Sequence, residues 1–291
     1  MKKIILPVIL VGLLLQICYA GFRFGMVDAV KDKVNKLDNK VQEAKTTLII
    51  RGKRTISGET LTIEPGTTVK FKTIPGLMDV EYHGELVLKD GARLIAKGTA
   101  DNPIIFETED SSTITFEEDS DGENSVIEYC KFEKGIEFEL NTTVNINQCK
   151  FIESGIQLYK SNESVIQYNN FSGEPYGAIC LIRSGGSGDT SPEPTIRYNN
   201  FENSNDAIIL FCIPNAIKYN NIIDIEDYAI NYSGEYLNEE YGGFPSTFTV
   251  ANCYIADCNG KSGVDTDGSQ SEGIVYENPQ TSSVSGAGCD W

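Results

Sequence analysis

The sequence contains a single histidine, His83, which excludes most histidine-based catalytic triads, so the candidates for catalysis are carboxylates and a few basic side chains. A lone imidazole excludes a multi-histidine metal site. Carboxylates beside a base, or paired acids, could cleave polysaccharide. The candidate acids and bases are Asp206, Asp224, Glu226, Asp227, Asp265, Asp267, Arg183, Arg197 and Lys218. We interpret these charges as a solvated outer face, so no catalytic residue, metal ion or cofactor is predicted.

A row of tyrosines is the first candidate for ligand binding. Tyr168, Tyr198 and Tyr219 occupy the same position of a repeated phrase, and Arg197 and Lys218 directly precede two of them. If the row faces outward, it offers an aromatic surface to sugar rings; if it faces inward, it is a column of the core. The sequence leaves both orientations open.

Two long insertions are the second candidate for binding. SGGSGDTSPEP (184–194) and SGEYLNEEYGGFPST (233–247) leave the repeat at the same corner, two repeats apart. The second insertion carries Tyr236, Tyr241 and Phe244. Two such walls would flank a groove, as functional loops on a rigid scaffold often do, although long loops are also tolerated without any function.

These side chains are positioned by an internal repeat. One phrase occurs six times: IEYCKF (127–132), INQCKF (146–151), IQYNNF (166–171), IRYNNF (196–201), IKYNNI (217–222) and VANCYI (250–255). A period of about 20 residues with tolerated insertions is typical of a solenoid, in which equivalent residues stack as columns. The fourth position forms the column Cys130, Cys149, Asn169, Asn199, Asn220 and Cys253. It fits a bend, where asparagine tolerates unusual backbone angles and stacked amides bond to each other.

The strand-rich repeat resembles the right-handed parallel β-helix proteins, the fold of pectate lyases, over most of residues 47–290. The segments LTIEPGTTVKF (61–71) and GELVLKDGARLIAKGTADNPIIFE (84–107) are similar to the opening coils of many secreted bacterial β-helix proteins. The resemblance implies an all-β solenoid with at least two short strands per coil. It says almost nothing about function.

The ends of the chain differ from the repeat. Residues 1–20 are predicted to be a signal peptide cleaved after Ala20, with lipidation of Cys18 as the less favoured alternative. Residues 21–46 are predicted to be an amphipathic helix, because apolar residues recur with a period of 3.5 over residues 27–44. The β-helix then spans 47–291, with a C-terminal cap from about 259 in which Trp291 covers the final coil.

Composition narrows the function. The formal charge of −18 excludes nucleic acid as a partner, because phosphate binding needs a basic surface. We expect an exported, non-enzymatic scaffold that is secreted, periplasmic or at the cell surface, with polysaccharide as the candidate ligand. The alternatives are a polysaccharide lyase or glycoside hydrolase, and a purely structural envelope protein.

The apolar stripe of residues 27–44 must pack on something, either sister helices of a homo-oligomer or the first coil of the solenoid. If it joins copies of the chain, residues 21–291 should be oligomeric and residues 46–291 monomeric and soluble. If it caps the solenoid, both should be monomeric and the shorter should aggregate through its open edge. The masses of the two proteins, measured by light scattering, distinguish these outcomes.

Overall fold

The solenoid is built from short strands in which every second residue points into an apolar interior. The structure, a computed structural model, describes residues 46–75, 81–159, 163–182, 193–212, 214–232, 248–258, 274–289 and 291. In these ranges the fold is all-β, with three parallel sheets of nine, eight and nine strands. Each coil contributes one strand to each sheet, so the chain forms a β-solenoid with three strands per coil.

The three sheets are called A, B and C in the order in which the chain first enters them. Sheet A contains β1 (Thr47–Arg51), β4 (Thr68–Lys72), β9 (Ile104–Thr108), β12 (Cys130–Glu133), β15 (Lys150–Ile152), β18 (Asn170–Ser172), β21 (Asn200–Glu202), β24 (Asn221–Ile223) and β27 (Tyr254–Ala256). Sheet B contains β2 (Lys53–Ser57), β7 (Glu85–Lys89), β10 (Ser112–Phe116), β13 (Ile136–Leu140), β16 (Gly155–Leu158), β19 (Ile179–Leu181), β22 (Asp206–Leu210) and β25 (Tyr228–Tyr232). Sheet C contains β3 (Thr60–Ile63), β8 (Arg93–Lys97), β11 (Val126–Glu128), β14 (Ile146–Asn147), β17 (Val165–Gln167), β20 (Thr195–Arg197), β23 (Ala216–Lys218), β26 (Phe248–Ala251) and β28 (Ile274–Glu277). A small antiparallel hairpin joins β5 (Ile74–Pro75) to β6 (Glu81–Tyr82).

The core consists of columns of identical or similar apolar residues. On sheet A, Phe106, Phe132, Phe151, Phe171 and Phe201 stack one coil apart, with ring centroids separated by 4.6 to 4.9 Å. All five rings are at most 1% exposed. The spacing matches the separation of paired strands, roughly 4.8 Å, so strand pairing and ring stacking hold the same register.

A second column is polar but equally buried. Asn169, Asn199 and Asn220 are fully buried at the bend between sheets C and A. The Oδ1 of Asn199 accepts from the backbone N of Asn169 at 3.0 Å and from its Nδ2 at 3.1 Å. Asn199 in turn donates to the Oδ1 of Asn220 from both nitrogens, at 2.9 and 3.1 Å.

Cysteines continue this column at both ends. The backbone N of Cys149 donates to Asn169 Oδ1 at 2.8 Å, and the backbone N of Asn220 donates to Cys253 Sγ at 3.4 Å. Cys130 and Cys149 are buried and are free thiols in the structure, as is Cys253. The thiol of Cys130 reaches the carbonyl of Ala96 at 3.3 Å, so the small side chain still finds a backbone partner.

The unusual backbone angles occur one residue earlier than expected from the sequence. Tyr129, Gln148, Tyr168, Tyr198 and Tyr219 have φ between 51° and 57°, in the left-handed region, and the asparagines that follow do not. This conformation turns the chain from sheet C into sheet A. The phrase IxYNNF is therefore two strands joined by a corner, which accounts for the third sheet.

Several predicted features lie outside the described residues: the signal peptide, the helix of 27–44, most of the first insertion and all of 233–247. Within the described ranges there is no helix, and consequently none long and apolar enough to cross a membrane. Both insertions fall between a strand of sheet B and the next strand of sheet C, at one corner, as their positions in the sequence indicated.

The end of the chain differs from the predicted cap. After β28, residues 284–289 run back along the outside of sheet A, and Trp291 contacts Gln148 and Tyr129. Trp291 therefore lies several coils away from the final coil on which the sequence placed it. We call residues 284–291 the returning segment.

Replacing Asn199 with leucine should destabilise the protein. The substitution removes the acceptor of the backbone N of Asn169 and the side-chain donor to the carbonyl of Ile166, both buried, which costs about 1–3 kcal/mol. Chemical denaturation of Asn199→Leu beside Asn215→Leu, an exposed position, measures this loss. Equal midpoints for the two variants would contradict a structural role for the column.

Candidate functional site

The outer face of sheet C carries a groove lined mainly by polar side chains. The groove has a volume of about 380 Å³, and its polar lining includes Glu128, Asn147, Gln167 and Arg197. The last three occupy equivalent outward positions of successive coils, because Asn147 pairs with Gln167 and Gln167 with Arg197. We call this the sheet-C groove.

Only some of the polar side chains that line the sheet-C groove have hydrogen-bond or ion-pair partners. The Nε of Arg197 donates to the side-chain oxygen of Gln167 at 2.8 Å, and Lys97 pairs with Glu128 at 3.0 Å. By contrast, the Oδ1 of Asn147 is buried and has no hydrogen-bond partner in the structure. Buried acceptors are almost always paired, so Asn147 is the residue of this lining whose hydrogen bonding the fold leaves incomplete.

The tyrosine row borders the groove at the corner between sheets C and A. Tyr168, Tyr198 and Tyr219 are half-buried and lie outside the apolar core. Their ring centroids are 5.2 and 5.0 Å apart, and the ring planes are within 5° of parallel. The residue before each tyrosine, namely Gln167, Arg197 or Lys218, belongs to the outward column of sheet C. The structure thus brings together the five described residues predicted to bind a ligand.

The stacking also limits what the tyrosine row can do. Both faces of the Tyr198 ring are occupied by its two neighbours along the solenoid axis. A sugar ring therefore cannot lie on that face, as the sequence suggested it could. The row instead presents ring edges and phenol hydroxyls, which can donate and accept hydrogen bonds.

Two carboxylates that the sequence analysis did not single out are Glu137, on strand β13 of sheet B, and Glu174, in the turn between β18 of sheet A and β19 of sheet B. Glu174 is 3% exposed, and its Oε2 has no hydrogen-bond partner in the structure. Its backbone is held firmly, because Asn205 N donates to its carbonyl at 3.0 Å. Glu137 extends over Gly155, where a Cβ atom would lie 3.2 Å from Glu137 Oε2. The glycine therefore provides the space that this carboxylate occupies.

Burial and mutual charge perturb these acids. Burial, followed by the charge of Glu137, raises the pKa of Glu174 from its ordinary 4.5 to about 7. Burial also raises the pKa of Glu137 to about 7, with a smaller contribution from Glu139 and an opposing hydrogen bond from Gln157. Such a pair can hold or release a proton near neutral pH.

The acids and bases predicted from the sequence are not gathered at one place. Asp206 lies on sheet B and bonds to Asn231 Nδ2 at 3.2 Å. Asp224 and Glu226 line a shallow depression elsewhere, together with Asp257. Asp227 is exposed. Arg183, Asp265, Asp267, Tyr236, Tyr241 and Phe244 lie outside the described residues.

In the part of the chain that the structure describes, no three His, Cys, Asp or Glu side chains are arranged to hold a metal ion. Comparison of the chain with protein-family profiles, with curated proteins and with solved structures returned no match. The candidate function therefore depends on the geometry of the two sites alone.

Glu174 should make stability depend on pH. Its folded pKa of about 7 lies above the ordinary 4.5, so its contribution is fully present below pH 4.5 and is lost as pH rises through 7. Glu174→Gln removes that loss. At pH 8 the variant should be more stable than the wild type, by on the order of 1 kcal/mol.

Denaturation at pH 5 and pH 8 measures the effect, with Glu202→Gln as the control because Glu202 is exposed. The gain of Glu174→Gln over the wild type should be larger at pH 8 than at pH 5. An increase in stability that is the same at both pH values, or that Glu202→Gln reproduces, would show that the pKa of Glu174 is not raised by its surroundings.

Proposed function

We propose that this chain is an exported, non-enzymatic right-handed β-helix of the pectate-lyase-like type that binds an extended polysaccharide at the cell surface or after secretion. The sheet-C groove and the tyrosine row are the binding surface. The observation that carries the proposal is their adjacency: Gln167 and Arg197 line a polar groove, and the residue that follows each of them is a tyrosine of the stacked row.

The shape of the surface favours a linear polymer. Groove and row both run along the solenoid axis, with one contribution per coil at about 4.8 Å intervals. A chain of sugars laid along this axis can repeat the same contacts from coil to coil. A small compact ligand would use only one or two of them.

The chemistry of the surface favours hydroxyl-rich ligands. The phenols of the row both donate and accept hydrogen bonds, and the side-chain amides of Asn147 and Gln167 line the groove. Arg197 and Lys218 add positive charge beside the row, which suits a polymer that also carries some carboxylates. Polysaccharides offer both types of group in a regular order.

A glycoside hydrolase is the second candidate function, and the carboxylates of Glu137 and Glu174 favour it. Glu137 and Glu174 titrate near neutral pH, so one could be protonated while the other is ionised, as paired-acid hydrolysis requires. Neither carboxylate lies on sheet C, which carries the groove. Hydrolysis would therefore depend on Glu174, whereas binding would depend on the tyrosine row.

Tyr198→Phe tests the binding surface without disturbing the stacked rings. It removes one hydroxyl and keeps the ring, so the affinity for a bound polysaccharide should fall about threefold to tenfold, the value of one hydrogen bond. Asn147→Leu should weaken binding to a similar extent. A glycan array with the wild type identifies the ligand, and calorimetry then compares the variants.

Tyr82→Phe is the matched control, because Tyr82 is 55% exposed and lies on the hairpin strand β6. Its affinity should equal that of the wild type. The same polysaccharides, incubated with wild type and Glu174→Gln and assayed for new reducing ends, detect hydrolysis. Failure of neutral and acidic polysaccharides to bind the wild type would overturn the binding proposal.

A further inference from the structure

The returning segment lies against a second ladder of asparagines on the outside of the solenoid. Asn170, Asn200 and Asn221 directly follow the buried column, one per coil, and face outward on sheet A. They are linked to each other: Asn221 Nδ2 donates to Asn200 Oδ1 at 2.8 Å, and Asn200 Nδ2 to Asn170 Oδ1 at 3.1 Å. We call these three residues the outer ladder.

The outer ladder recognises the backbone of the returning segment. Asn170 Nδ2 donates to the carbonyl of Cys289 at 3.1 Å, and Asn200 Nδ2 donates to the carbonyl of Ala287 at 3.1 Å. Asn221 pairs with both backbone groups of Val284: its Nδ2 donates to the carbonyl at 3.3 Å, and its Oδ1 accepts from the N–H. Each asparagine of the outer ladder thus bonds to main-chain groups, which any extended peptide of suitable shape could offer.

The outer ladder leaves no room for a side chain at one position of the returning segment, so that position requires glycine. Gly288 has φ +82°, and a Cβ atom there would lie 2.2 Å from both Asn170 Oδ1 and Asn200 Nδ2. Gly286 has a similar φ of +73°, yet a Cβ atom would meet nothing within 4 Å. The two glycines therefore share the same backbone strain on substitution and differ only in the clash with the ladder.

An indole anchors the end of the segment. Trp291 Nε1 donates to the carbonyl of Gln148 at 2.8 Å, and its ring lies 6.4 Å from that of Tyr129. The ammonium of Lys150 lies over the indole, 4.5 Å from the ring centroid. A partly buried hydrogen bond and a cation–π contact at one aromatic residue are typical of an anchor in peptide recognition.

The segment is joined to the solenoid by an exposed linker. Residues 278–283 between β28 and the segment are all exposed. The sheets and their internal columns contain no residue of the segment. The segment is thus an attached ligand of the solenoid, and such elements can be exchanged between identical chains at little cost.

We propose that the outer ladder is a peptide-binding site whose ligand, besides the chain's own returning segment, is the returning segment of a second copy of this chain. The ligand class is an extended peptide with glycine at the position of Gly288 and an aromatic anchor three residues later. Within one copy the linker gives the attached segment a high effective concentration, so exchange occurs when the attached segment is displaced.

Gly288→Ala displaces the attached segment in the full chain and leaves the ladder intact. Combined with Trp291→Phe it also removes the only tryptophan. A synthetic peptide of residues 284–291 then supplies the sole indole signal. We expect saturable binding with a blue shift of its emission. Binding should be at least tenfold weaker for the same peptide with Gly288→Ala, and at least tenfold weaker on the Gly286→Ala/Trp291→Phe chain.

The source of the ligand is tested with a whole chain in place of the peptide. Asn170→Ala/Asn200→Ala keeps the native segment and Trp291 but has a damaged ladder. Mixed with Gly288→Ala/Trp291→Phe, it should show the same blue shift; mixed with Gly286→Ala/Trp291→Phe, it should show little. No peptide binding, or equal binding to both acceptor chains, would overturn the peptide site. Peptide binding without a shift in the mixed chains would overturn the second copy as its source.

Discussion

The buried column of Asn169, Asn199 and Asn220 fixes the register on which the rest of the solenoid depends. Each amide bonds to the backbone and side chain of the neighbouring coil, so a coil that slipped by one residue would leave several buried polar groups unpaired. Apolar stacking alone tolerates small shifts because it is not directional. The amide ladder is directional, and it holds the phenylalanine column beside it at the same spacing.

The buried asparagine column also fixes the positions of the residues on either side of it, which lie on the surface of the solenoid. The residue before each asparagine turns the corner with positive φ and forms the tyrosine row, and the residue after it forms the outer ladder. The three consecutive residues Tyr-Asn-Asn of each repeat therefore contribute to the tyrosine row, to the buried asparagine column and to the outer ladder, in that order. Insertions of different length between sheets B and C do not disturb this order: Asn169 and Asn199 are 30 residues apart and Asn199 and Asn220 are 21 apart, and both pairs bond alike.

Much of this arrangement could be predicted from the sequence because it repeats. The period, the parallel columns and the common corner of the two insertions follow from aligning the chain with itself. The backbone conformation at Tyr168 and its equivalents could not, since tyrosine seldom adopts positive φ and the neighbouring asparagine is the more usual residue for it. Glu174 was also missed, because it lies in a coil where the second phrase is lengthened. The path of the returning segment could not be predicted, because SGAGCDW shares no pattern with the outer ladder that it contacts.

The outer faces of the solenoid differ in how many of their polar side chains have hydrogen-bond partners. A face with unpaired polar groups is a better candidate for a binding site than one whose groups are all paired. On sheet A the outer ladder is complete, because the returning segment occupies it. Among the residues that the structure describes, a buried oxygen is unpaired on Glu174, in the turn between sheets A and B, and on Asn147 of sheet C. The carboxyl group of Glu174 can take up a proton near neutral pH, and in its ionised form it repels anionic polymers. The sheet-C groove instead combines side-chain amides with Arg197 and lies next to a row of phenols, so it is the face that better complements the polysaccharide we propose as the ligand.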